Sequence, residues 1–290
     1  MSKRSQIQEH LQKLDEIGDI MRAMKNVSLM ELHKLARFID HQQRVLAGIE
    51  QATQDFVCHY ASVLPAARTV APTRVVALGS ERGFCGDYND AVADTVQRVT
   101  QDGRLSVVAV GSRLQQRLDG AGRSFHRVTG ASTVDEVQSV LELVMRALVG
   151  GDPLGDRAPL VVSVVCHQDG QEGVQVRTVS ALPAPAAGRR REPYPPRLNV
   201  PAPALHHQLM RHYLWAQMHQ LFYSALLAEH RARLQHMESA LQRMEEKTAA
   251  LRRRQNILRQ EEITEEIEVI MLNSDVQRKR RGAQENRSWQ

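Results

Sequence analysis

Three groups of residues in this chain have the types and spacing that chemistry would require. The first is GSERGFCG, Gly79 to Gly86, which follows a Val-rich segment and sets Gly79, Gly83 and Gly86 where a phosphate-cradling turn would carry glycines. The spacing does not fit G-x-G-x-x-G, and no Lys-Ser or Lys-Thr follows as in a P-loop, so the run reads as a structural loop closing a strand. The second group is His206, His207, His212 and His219, with no H-E-x-x-H or comparable ligand set beside them. They read as a solvated helix face. The third is Asp87, Asp90 and Asp94, which suit a metal or an acid/base pair but sit where a helix start favours carboxylates electrostatically. Cys58, Cys85 and Cys166 form no C-x-x-C pair and read as three reduced thiols. No catalytic residue, cofactor site or metal site is assigned on these patterns.

The elements that would position such residues follow from the breakers. All 11 prolines fall between Pro65 and Pro203, residues 1 to 60 contain only Gly18 and Gly48, and no glycine occurs from Arg189 to Arg281. Two breaker-poor arms therefore flank a breaker-rich middle. In the first arm Leu11, Leu14, Ile17, Met21 and Met24 recur at helical spacing, and Leu32, Leu35, Ile39, Leu46 and Ile49 continue the stripe. In the second, Leu234, Met237, Leu241, Met244, Thr248, Leu251, Gln255 and Leu258 alternate steps of three and four. Helices of this length have stripes that a small domain cannot cover, so the two arms are expected to pair as an antiparallel coiled coil. A homodimeric coiled coil is the alternative that periodicity leaves open. The middle alternates short apolar strands, Arg74 to Leu78, Leu105 to Val110, Leu160 to Cys166 and Val174 to Ser180, with helical patterns near Ala91 to Val99, Arg113 to Leu118 and Val134 to Leu148. That order predicts an α/β domain with a mainly parallel sheet. The expected division is a first helix over 1–64, the α/β domain over 65–182, a Pro- and Arg-rich connection over 183–204, a second helix over 205–276 and a basic disordered tail over 277–290.

Charge placement narrows the partners. The net charge is +5, and the last fourteen residues hold five basic side chains against one acidic one, so the excess is a tail and not a folded basic face. A nucleic-acid role is not expected. No apolar run approaches the roughly 20 residues that cross a bilayer, and the start MSKRSQIQEHLQ lacks the apolar core of a signal peptide. The chain is expected to be cytoplasmic.

Three segments carry a family resemblance. LRQEEITEEIEVI, Leu258 to Ile270, resembles A-R-Q-x-x-I-T-x-E-(I/L)-x-E-(I/L) near the end of the gamma subunits of F-type ATP synthases, with Arg259, Gln260, Ile263, Thr264, Glu266, Ile267 and Ile270 in place. IMRAMKNV, Ile20 to Val27, is similar to the family's I-T-K-A-M-x-M-V, and SERGFCGDYN, Ser80 to Asn89, to its S-D-R-G-L-C-G-G-L-N. The resemblance spans about residues 3 to 276. It implies a coiled coil inside a ring of alpha and beta subunits, an α/β domain at the foot against the epsilon subunit and the membrane c-ring, and no cofactor. It also implies that Arg259, Gln260 and Thr264 contact beta-subunit loops gripping the upper shaft, and that Met24 and Lys25 lie near acidic beta loops lower down. The implied function is that of a non-catalytic rotor stalk at the cytoplasmic face of the membrane.

The departures are specific. Ser28, Leu29, Met30 and Glu31 replace a stretch of small residues, Asp87 replaces a glycine, and Glu261, Glu262, Glu265 and Glu268 make the late helix acidic. They suggest a divergent branch such as the sodium-linked N-type ATPases. Two other functions remain as alternatives: a coiled-coil scaffold, which would self-associate, and a small-molecule-binding α/β domain with helical arms, which would bind nucleotide alone.

Overall fold

The computed structural model describes residues 3–60, 74–101, 105–122, 124–149, 161–180 and 194–287, with side chains described to residue 272 in the last helix. The first arm is one helix, α1 (Lys3–His59), and the second is α5 (Ala202–Arg287). Both run unbroken because proline is absent from their interiors. Pro203 lies in the first turn of α5, where a missing N–H costs nothing, and the Leu205 N–H donates to Pro201 O at 3.0 Å. α5 starts three residues before the expected 205, and the expected connection over 183–193 lies outside the described residues, as do 61–64 of the first arm.

Residues 277–287, expected to be disordered, continue α5 as helical backbone. The correction has a local cause. This stretch contains no proline, and apart from Gly282 and Asn286 it is made of Arg, Lys, Gln, Ala and Glu, which are good helix formers. A helix already nucleated upstream extends through its own hydrogen bonds and needs no buried apolar surface to do so.

Between the arms lie β1 (Arg74–Leu78), α2 (Tyr88–Val99), β2 (Ser106–Val110), α3 (Ser112–Gly120), β3 (His126–Val128), a 3-10 turn at Val134–Glu136 leading into α4 (Val137–Val149), β4 (Val161–His167) and β5 (Val174–Ser180). The sheet order is β3-β2-β1-β4-β5. β1 pairs parallel with β2 and β4, β2 pairs parallel with β3, and only β5 is antiparallel. The sheet is thus mainly parallel, as the strand–helix alternation predicts. β3 escaped the sequence reading because three residues at a sheet edge are too few to show a period.

The alternation of strand side chains divides the core. Val75, Ala77, Val107, Ala109 and Val165 face α2 and α3, meeting Val92, Val96, Leu114 and Leu118. Val76, Leu78, Val108, Val110, Val162 and Val164 face the other way, meeting Leu141, Val144 and Leu148 of α4, Leu214, Met218 and Leu221 of α5, and Leu35 of α1. Strands buried on both faces read as continuous valine runs for this reason.

Two compact units result, one of residues 1–24 with 237–290 and one of residues 25–236. In the first, Arg4 pairs with Glu262 at 3.0 Å, Asp15 with Arg252 at 3.9 Å, and Met21 packs with Met237 and Leu241. Numbers rising on α1 meet numbers falling on α5, so the helices are antiparallel. The ion pairs are exposed and add little, leaving the methionine and leucine seam to hold the pair. In the second unit the same sense holds. The Phe38 ring lies 5.9 Å from Tyr223, the Gln42 amide donates to Ala216 O at 3.3 Å, the Tyr213 hydroxyl donates to Glu50 Oε1 at 3.4 Å, and Phe56 stacks on His206 at 6.1 Å.

Candidate functional site

The glycine-rich loop after β1 is filled by its own chain. Glu81 Oε2 accepts the Ser112 N–H at 3.0 Å and the Gly130 N–H at 2.7 Å, and Oε1 accepts the Ser112 hydroxyl at 2.6 Å. This carboxylate occupies the start of α3, the place where a bound phosphate would gain from the helix dipole. Burial pushes the Glu81 carboxyl up, but the Ser112 hydroxyl and the Gly130 and Ser112 N–H groups outweigh it and hold it below the usual carboxylate value. The loop is closely packed as well: a Cβ on Gly79 would overlap Leu114 Cβ and come within 2.8 Å of Asn89 Oδ1. Asn89 in turn accepts the Ser80 N–H at 2.9 Å and donates to the Ser80 hydroxyl at 2.8 Å. The structural reading of the loop therefore has a physical basis in these contacts.

Asp87 sits at the start of α2 without a side-chain capping bond, and Asp90 pairs with Arg117 at 2.9 Å. The histidines divide. His207 and His212 are exposed, whereas His206 is buried against Phe56, and His219 is bound between Trp215 O at 2.9 Å and Gln138 Oε1 at 2.8 Å. A solvated face therefore describes only two of the four, because the start of α5 turns His206 and His219 towards α1 and α4. Among the described residues no group of three or more His, Cys, Asp or Glu side chains is placed to hold a metal.

The partner-contact candidates lie on the terminal helices. Arg259, Gln260 and Thr264 are exposed on α5, and the Thr264 hydroxyl donates to Gln260 O at 2.9 Å. Gln260 and Thr264 share a face at one helical turn, with Arg259 beside them. Met24 is half-buried beside Met21, Met237 and Leu241, so it belongs largely to the seam between the helices. Arg259 is about 27 Å along α5 from Leu241 at 1.5 Å per residue, so Met24 and the Arg259 group are separate sites. Lys25 is half-buried on α1. Around the α5 group, Ile263, Ile267 and Ile270 are 46%, 51% and 67% exposed, and on α1 of the same unit Ile17 and Ile20 are 48% and 61% exposed. Arg4 meets Glu262 at the first turn of α1, so Ile263, Ile267 and Ile270 lie where α5 runs on past that helix, and their exposure follows from this.

A second polar site, not anticipated from the sequence, is buried where α5 passes the loop after β1. Glu229, His230 and Arg233 of α5 are 3%, 2% and 4% exposed, and Glu31 of α1 is 6% exposed. Arg233 pairs with Glu229, and Glu31 accepts the Val134 N–H at 3.2 Å and the Lys34 ammonium at 2.9 Å. Burial pushes the Glu229 carboxyl up to about 7 against the pull of Arg233, and burial followed by Arg233 pushes His230 down to about 4. The sequence signal was a Glu and an Arg at i, i+4 inside the apolar run LFYSALLAEHRARL, a place where charges normally need partners.

The chain combines a small, mainly parallel α/β domain with two long terminal helices that run antiparallel where they meet. The ATP synthase family profile matches residues 3–272, so this chain belongs to that family, among its gamma subunits. The ATP synthase gamma chain of Streptococcus equinus is 26% identical over 145 residues, 47% of this chain and 47% of that one. The chain thus matches about half the length of this curated relative. Among solved structures, the rotor of Euglena gracilis mitochondrial ATP synthase is similar with a TM-score of 0.56 and 15% identity over 90% of this chain and 98% of that one. A central stalk and c-ring structure from Tetrahymena thermophila is similar with a TM-score of 0.52 and 15% identity, over 76% of this chain and 99% of that one. At these identities the structural likeness speaks for the fold alone.

Proposed function

We propose that this chain is the central rotor stalk of an F-type ATP synthase, coupling ion-driven rotation of a membrane ring to ATP synthesis or hydrolysis in a ring of alpha and beta subunits. The observation that carries this is the exposed Ile263, Ile267 and Ile270 stripe beside Arg259, Gln260 and Thr264, on a helix pair of the right family. In this reading the bore of the ring covers that stripe. ATP chemistry belongs to the beta subunits and the stalk acts by contact. One asymmetric shaft meets three beta subunits unequally and biases each to a different conformation, since a partner shifts an equilibrium only through differential contacts. Chemical asymmetry is available in the acidic Glu261, Glu262, Glu265, Glu266 and Glu268 beyond the basic Arg252, Arg253 and Arg254.

In this reading Arg259, Gln260 and Thr264 contact beta-subunit loops, Met24 and Lys25 face acidic beta loops, the α/β domain meets the epsilon subunit and c-ring, and the complex works at the cytoplasmic face of the membrane. No described helix is long and apolar enough to cross a membrane, which suits a peripheral subunit. The test is co-expression with candidate alpha, beta and epsilon subunits. Recovery of a complex with ATPase activity is expected, and a chain that purifies only as a self-associated species would favour a scaffold instead.

A further inference from the structure

A shaft transmits torque only if it cannot roll in its mount. Apolar packing is non-directional, so a helix seated on it alone resists a roll about its axis only through side-chain interdigitation. Directional hydrogen bonds add to that resistance, and α5 is held by them on two sides. On one side, Tyr88 Oη donates to Ala225 O at 3.1 Å, and Arg233 donates to Gly83 O at 3.2 Å and Arg82 O at 3.4 Å while pairing with Glu229. Arg233 Nη1 also donates to His230 Nδ1 at 3.2 Å, which fixes the proton of that neutral imidazole on Nε2. Residues 225, 229 and 233 are spaced by four and lie along one face of the helix. On another side, the Asp169 N–H donates to Ser224 Oγ at 3.1 Å and the Asp169 carboxylate pairs with Arg231. At 100° per residue, Arg231 and Arg233 point about 200° apart, nearly opposite.

We propose that Arg233 and Glu229 are the positioning residues that lock α5 against rolling in the α/β domain, so that torque on the domain passes into the shaft. This rests on the rotor reading above and deepens it. The guanidinium is the part that fits. Its fixed fork reaches two loop carbonyls and a carboxylate at once, which a lysine ammonium cannot match in geometry. The loop it grips has two residues in left-handed backbone, Phe84 at φ 66° and Gly86 at φ 61°; the first is a conformation that a side chain disfavours, so the loop depends on its contacts, Arg233 among them, to hold it.

Replacing a buried ion pair with apolar residues of similar size often leaves stability unchanged or raises it. The double variant Glu229→Met with Arg233→Met therefore separates a lock from a merely structural pair. Cys85 is an internal reporter of the loop, because it is buried and labelling requires the loop to open. Burial raises its thiol pKa and the Arg233 charge holds it down against that, so losing Arg233 by itself slows the labelling chemistry and a faster rate reads opening. Cys166, buried in β4, reports general loosening. In the full chain carrying Cys58→Ser, the double variant is expected to stay folded with a midpoint lowered only modestly, since the Gly83 and Arg82 carbonyls and His230 Nδ1 lose a donor while the buried charges are removed together. Its Cys85 labelling should rise about tenfold, as for the loss of a hydrogen bond to a charged group, while Cys166 labelling stays unchanged. In complexes with alpha, beta and membrane-ring subunits, ion pumping per ATP hydrolysed should fall while hydrolysis persists. Arg233→Lys should label between wild type and the double variant. Wild-type Cys85 labelling in both variants, equal acceleration at Cys166, or undiminished pumping per ATP would each overturn the lock. If the double variant does not fold, Arg233→Lys alone decides by the same readings. Failure of the wild-type chain to assemble would sink the rotor reading, and the labelling would still test the lock.

Discussion

At the scale of single residues, the buried carboxylates decide how the α/β domain answers to pH. Glu81 has a lowered folded pKa, so its contribution to stability is present above its unfolded value and is lost as pH falls through the folded one. Glu81→Ala leaves the Ser112 and Gly130 N–H groups without their acceptor and is expected to cost about 1–3 kcal/mol near pH 7, with a smaller difference from wild type at pH 3. Urea unfolding at both pH values measures it. Glu229 and His230 work in opposite senses. The Glu229 pKa is raised from 4.5 to about 7, so the folded state holds a proton more tightly and stability from this group falls as pH rises through that window. The His230 pKa is lowered from 6.5 to about 4, so stability from this group rises over nearly the same window. The two slopes offset each other in the wild type. Glu229→Gln removes the first, and its unfolding free energy should therefore climb between pH 4 and 6.5 more steeply than that of the wild type. A parallel pair of pH profiles would show that these two groups do not carry the dependence.

At the scale of elements, α4 and α5 are held to the sheet by large apolar side chains, and the terminal helices are held to each other by a narrower seam. Leu141 is fully buried between α4 and the sheet. Leu141→Ala should therefore cost about 2–5 kcal/mol, read as a shift in the urea midpoint. Arg259 and Gln260 are the contrasting case, being exposed on α5. Their joint replacement by alanine should move the stability of the isolated chain by less than about 0.5 kcal/mol per site while weakening ATP-driven ion pumping in the assembled complex. Wild-type hydrolysis and pumping together would remove these residues from the contact surface. Both helices and four of the five strands were legible in the sequence because their periods run over five or more residues. α2 starts three residues earlier than the pattern showed, with no side-chain cap to mark it, α5 starts three residues earlier at a first-turn proline, and β3 was too short to show.

At the scale of the whole molecule, the antiparallel sense of the terminal helices joins the start of the chain to its end. Asp15→Cys with Arg252→Cys, treated with a short bismaleimide in a Cys58→Ser background, should crosslink within one chain at every dilution, because those side chains already meet at 3.9 Å. Crosslinking only between chains at high concentration would mean a homodimeric coil. Removing residues 277–290 should leave folding intact, since helix beyond the seam is sustained by local hydrogen bonds, and thermal unfolding of the truncated chain checks this. The sequence by itself determined two long helices, a mainly parallel α/β domain between them and the family of the chain. Those features rest on periodicity, on the placement of glycine and proline, and on motifs that are local in the chain. Only the tertiary structure decided that Glu81 fills the helix start a phosphate would have taken. It also decided that His206 and His219 are packed and that Arg233 reaches the carbonyls of residues 150 positions away. Each of these joins groups far apart in sequence, and a hydrogen bond across such a separation leaves no local pattern to read.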